Sequence, residues 1–164
     1  MKSLILLFFL VPNLVMGSNS VTLIDFIKDN PKWHMINNPD WIIDKGNIMQ
    51  ISLRCTAVHD IAILYIYKKN ESELFELKDT LKKVAKIFKN SSLTIAEEVN
   101  WDSDIFNERY SFWREKYNSK AIENEVKYKN FRQGLIAIDI GVCAKILPFF
   151  SDILERKLNK NQND

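Results

Sequence analysis

Apolar residues recur every three or four positions over most of the chain, the spacing that gathers them on one face of an α-helix. The clearest case is Leu74, Leu77, Leu81, Val84 and Phe88, with Lys78, Lys82, Lys83 and Lys86 on the other faces. This amphipathic helix is expected to end near Asn90, with Asn70 as its cap and Glu73 as the capping-box partner. Upstream, Ile48, Ile51, Cys55, Val58, Ala62 and Tyr65 keep the same period, and Ala57, Ile61 and Leu64 fill an adjacent stripe. A helix apolar around most of its circumference belongs at the centre of a bundle. Within it, His59 is expected in the core and Asp60 facing solvent. Taken alone, Ile61 to Tyr67 also suits a buried strand; the period over the longer window decides for helix.

Ser92 is expected to start a short helix through Val99, followed by a break at Asn100-Trp101-Asp102. Asp102 or Ser103 then caps a helix with an aromatic stripe, Phe106, Tyr110, Trp113 and Tyr117. From Tyr128 to Ile153 the period continues as one long helix, or as two broken near Gln133-Gly134. Pro148 inside this pattern predicts a kink, and Gly141 a close helix approach. Before residue 47 the pattern is interrupted. Val21 to Lys28 suits a short helix, and Asn30-Pro31-Lys32-Trp33 recurs as Asn38-Pro39-Asp40-Trp41, each unit reading as the start of a helical turn. The expected fold is all-α, a compact bundle of about four to six helices.

The N-terminus is read as an address. Met1-Lys2 is followed by the apolar run Leu4 to Leu10, and Val15 and Gly17 precede a cut before Ser18. That is the layout of a secretory signal peptide, too short and too interrupted by Pro12 and Asn13 for a spanning helix. The expected organisation is a signal peptide at 1–17 and a single helical domain at 18–164, with no membrane span after cleavage. The destination is secreted or periplasmic; an uncleaved segment would instead make a membrane-tethered accessory protein.

Export changes the meaning of the cysteines. Cys55 and Cys143 are the only two in the chain, and an oxidising compartment favours their pairing as one disulfide. By chain entropy, closing so long a loop stabilises the fold by about 4.6 kcal/mol. His59 follows Cys55 by one helical turn, so a thiolate–imidazole pair is a competing geometry. Asn70-Glu71-Ser72 and Asn90-Ser91-Ser92 match the glycosylation sequon, which has meaning only in a eukaryotic pathway.

Composition narrows the function classes. With 23 basic and 21 acidic residues the net charge is +2, which gives no electrostatic case for nucleic acid. Four glycines leave little for phosphate loops, and the Cys and His spacing does not fit a zinc finger. Asp102, Asp104 and Glu108 lack the Gly and distal Glu of a calcium loop. No nucleophile, metal or dinucleotide motif occurs, so no catalytic residue, metal or cofactor is assigned. The expectation is an exported, non-catalytic binding or interaction protein. Its candidate surface for an apolar ligand or protein partner is Trp33, Trp41, Phe106, Tyr110 and Trp113. The alternative is a small secreted hydrolase or thiol enzyme using His59.

Overall fold

The computed structural model describes residues 22–28, 45–69 and 74–161. The expected signal peptide, both Asn-Pro-x-Trp units, Asn70 and Glu73 lie outside the described residues. Five α-helices and no strand occur among those described, as the period predicts: α1 (Leu23–Lys28), α2 (Lys45–Lys69), α3 (Phe75–Glu98), α4 (Ser103–Tyr128) and α5 (Leu135–Asn161). Helix α2 is the hub and packs against α3, α4 and α5. Every residue from Ile51 to His59 is buried, which is why this segment reads as apolar on all sides.

Two of the sequence boundaries move. The helical hydrogen bonds of α3 begin at Phe75, next to Leu74, which caps nothing with its side chain. At the other end α3 runs without interruption through Ser91 and Ser92 to Glu98, so no separate helix starts at Ser92. The serines do not break it because their hydroxyls turn back onto the helix. Ser91 Oγ donates to the Ile87 carbonyl at 2.9 Å and Ser92 Oγ to the Lys89 carbonyl at 2.8 Å.

The break at Asn100 lies where the sequence puts it. Asn100 adopts a left-handed backbone, φ 54°. Asparagine tolerates that conformation better than most residues. Its N–H donates to Glu97 O at 3.3 Å, and Trp101 N–H donates to Ala96 O at 2.9 Å. This pair of bonds closes the helix by a Schellman motif. Asp102 then caps α4, its carboxylate accepting from Asp104 N–H at 2.7 Å. That bond satisfies one of the donors a helix start leaves open.

Helix α4 ends at Lys129, left-handed at φ 55°, and the chain turns before Gly134, φ 53°. Of the two sequence readings of this region, the broken one holds. The buried Asn124 amide secures the turn, donating to the carbonyls of Phe131 at 3.0 Å and Gln133 at 2.9 Å. Pro148 sits inside α5 on its exposed side, where a carbonyl released from the helical ladder meets water. Gly141 does not mediate close approach: a Cβ there meets nothing within 4 Å. Cys55 and Cys143 form the disulfide, with Cα atoms 5.6 Å apart, and join α2 to α5.

Candidate functional site

A buried polar cluster lies where α1, α2, α4 and α5 meet. Arg54 on α2 is 1% exposed and Asp139 on α5 is fully buried, with Nη2 to Oδ2 at 2.6 Å. Tyr117 on α4 donates its hydroxyl to the same carboxylate oxygen and receives a bond from Arg54 Nε at 3.3 Å. The other carboxylate oxygen accepts from Leu23 N–H of α1 at 2.8 Å. The ring of Trp113 covers the guanidinium at 4.2 Å, a cation–π contact. Burial, with the Asp139 charge beside it, pushes the Tyr117 phenol well above its ordinary range. No buried side-chain atom of the cluster lacks a hydrogen-bond partner, and the cluster is closed to solvent. The cluster thus links groups from four helices through one carboxylate.

The predicted aromatic face belongs to the same region. Phe106 is buried, and Tyr110 and Trp113 are half-buried against α2. Tyr110 donates its hydroxyl to Asp60, and Trp113 Nε1 donates to Gln50 at 3.3 Å. Asp60, expected to face solvent, is half-buried in this contact. Burial, followed by the Asp60 carboxylate, pushes the Tyr110 phenol up.

His59 is buried, with Nδ1 2.6 Å from the Cys55 carbonyl oxygen. A carbonyl only accepts, so Nδ1 carries the proton. Burial lowers the imidazole pKa to about 4 despite that bond, which keeps the ring neutral at pH 7. Both sulfurs are in the disulfide, so the thiolate–imidazole geometry has no thiolate in this state. Among the described residues no group of three or more His, Cys, Asp and Glu side chains suits a metal ion. Asn90 is exposed on α3.

Two surface features remain. A shallow, open depression of about 220 Å³ lies between α2 and α3, lined by Thr56, Asp60, Ile63, Lys82, Ala85, Lys86 and Lys89. The second is on α4. Ile105, Phe112, Ile122 and Val126 are 44%, 55%, 52% and 73% exposed, on the face turned away from α2. Phe112 stands edge-on to Trp113 at 5.1 Å, so the outer stripe abuts the lid of the buried cluster. Sequence reasoning missed both the cluster and this stripe. Arg54 and Asp139 were detectable as lone, opposite charges within apolar runs. The stripe was detectable as a second apolar period on a helix whose first already explained its packing.

No helix among the described residues is long and apolar enough to cross a membrane. Compared with protein-family models, curated proteins and solved structures, the chain matches none.

Proposed function

We propose that the protein is an exported, non-catalytic interaction protein that presents the outer face of α4 to an apolar partner surface. The observation that carries this reading is the exposure of Ile105, Phe112, Ile122 and Val126 together on one helix face. The opposite face of the same helix holds Phe106, Tyr117 and Ala121 in the core. Beside Glu108, Glu115 and Ser119, the outer face thus carries four apolar side chains that its own fold does not bury. A disulfide and the leader-like start of the sequence support export, with cleavage before Ser18 leaving one domain at 18–164. The partner surface suggested by the sequence thus moves to the far side of the helix that carries Phe106, Tyr110 and Trp113.

Mass spectrometry of protein exported by its own host tests both parts. The denatured mass should match a chain starting at Ser18, less two hydrogens for the disulfide. The native mass should exceed it by the mass of a protein subunit, and the excess should vanish in the F112S/V126S variant. A native species at the monomer mass in the parent protein would overturn the interaction reading.

A further inference from the structure

The outer face of α4 carries enough pattern to name its occupant. Ile105, Phe112, Ser119 and Val126 are spaced by seven residues. Glu108, Glu115 and Ile122 follow the first three of them by three, and all seven are exposed. This is a heptad seam, with Ile105 opening one position and Glu108 the other. A seven-residue repeat drifts about 20° per heptad on a straight helix, which suits left-handed pairing with another helix. A lipid surface fits poorly, because Glu108 and Glu115 lie in the middle of the stripe.

Charge on the seam favours one direction, against one like pair, Lys116 beside Lys116 of the second copy near the axis. Two copies of α4 laid parallel would stack Glu108 on Glu108 and Glu115 on Glu115. Laid antiparallel, each seam residue faces a different one. Phe112 meets Ile122 of the second copy, and does so twice by symmetry. Glu115 faces Ser119. Glu108 faces Val126. Beside the seam, Arg109 lies nearly level with Glu123 of the second copy. Glu123 is held on its own helix by Lys120 at 2.6 Å, so Arg109 would join an existing pair.

We propose that this face is self-complementary, and that α4 docks antiparallel on α4 of a second copy of this chain about a two-fold axis at the level of Tyr117. The proposal rests on the interaction reading above and names its partner. A single helix pair falls at the small end of interfaces, below about 1,200 Å², so a weak dimer with dissociation in the micromolar range is expected.

Sedimentation equilibrium of the purified, oxidised protein, from about 1 µM to about 500 µM so as to bracket that range, tests it. The parent protein should pass from monomer to dimer, and F112S should weaken the dimer at least tenfold with unchanged helical circular dichroism. R109E alone and E123R alone should each weaken it several-fold, since each places like charges together twice. An equimolar mixture of the two single variants should restore association, because antiparallel docking then pairs Glu with Arg at both sites. A monomer at every concentration would overturn self-docking. So would a dimer untouched by F112S, or variants that fail to complement on mixing. If the purified chain stays monomeric but the host-exported assembly still depends on Phe112, the interaction reading stands and its partner is a different protein. Binding of a monomeric chain to anionic or neutral phospholipid vesicles would assign the face to a membrane and overturn the second copy as occupant.

Discussion

The two flanks of α2 are built on different principles. Toward α3 the contact is apolar and aromatic. Phe88 packs edge-on to Phe150 at 4.9 Å and lies beside His59, with ring centres 6.0 Å apart. The polar groups there answer to backbone: Ser52 Oγ donates to Phe88 O at 2.5 Å, and the Ser91 hydroxyl lies between the carbonyls of Ile87 and Phe150, 3.0 Å from the latter. Toward α4 and α5 the contact carries the Arg54–Asp139–Tyr117 cluster and the disulfide. Helices α2 and α3 are consecutive, so a short connection brings them together with little loss of chain entropy. Asp139 reaches Arg54 from 85 residues away and Leu23 from 116. The neighbour is held by generic burial, whereas the distant arrivals are fixed by groups that fit one arrangement.

Removing Asp139 should widen that contrast most. Asp139→Leu leaves Arg54 buried without its counter-charge and takes the acceptor from Tyr117 and Leu23. A loss near the top of the range for a broken buried pair is expected, about 5 kcal/mol, read as a lower urea midpoint. Adding Arg54→Met should recover part of it, because the stranded guanidinium carries much of the cost. A double variant no better than the single would sink that account. On the other flank, Phe88→Ala removes a fully buried ring. By the same measurement it should cost about 4 kcal/mol. No charge is stranded there, so no second substitution on α2 should rescue it.

Acid separates the flanks by a different route. His59 has a folded pKa of about 4 against roughly 6.5 unfolded, so the unfolded chain binds the proton first. Its contribution is complete above about pH 6.5, falls as the pH drops, and is lost by about pH 4. The full span is about 3 kcal/mol. Unfolding free energies measured between pH 7 and pH 4 should show this slope in the parent and a shallower one in His59→Gln. Equal slopes would remove His59 as the source. The smallest effect is a gain. Gly141 lies on α5 between Asp139 and Cys143 with open space around it. Gly141→Ala should therefore raise stability by about 0.8 kcal/mol, seen as a higher melting temperature.

The helical period carried the bundle and the break at Asn100, because local spacing is written in adjacent residues; it offered the turn before Leu135 as one of two readings. The disulfide followed from compartment and parity rather than from geometry. The serine pair at the end of α3 misled for a physical reason. Ser92 reads as a helix cap, yet its hydroxyl turns back to the Lys89 carbonyl of the same helix, and the helix runs on. Arg54 and Asp139 stood in plain view as single charges in apolar runs, yet a linear pattern does not say which charges meet. The outer stripe of α4 was hidden by its own helix. Phe106, Tyr110, Trp113 and Tyr117 accounted for one period, and the second, at Ile105, Phe112 and Val126, follows the heptad rather than the core.

The Cys55–Cys143 bond makes one further property follow from topology alone. It turns the chain from α2 through α3 and α4 to α5 into a covalent ring, with the remaining residues as two tails. A pull applied to those tails passes from α2 across the sulfurs into α5 and bypasses α3 and α4. A protease that cuts within the ring, at the Asn100 turn or between Lys129 and Gly134, opens a gap without releasing a fragment. The nicked molecule stays in one piece, heavier only by the water of hydrolysis, until a reductant reaches the sulfurs.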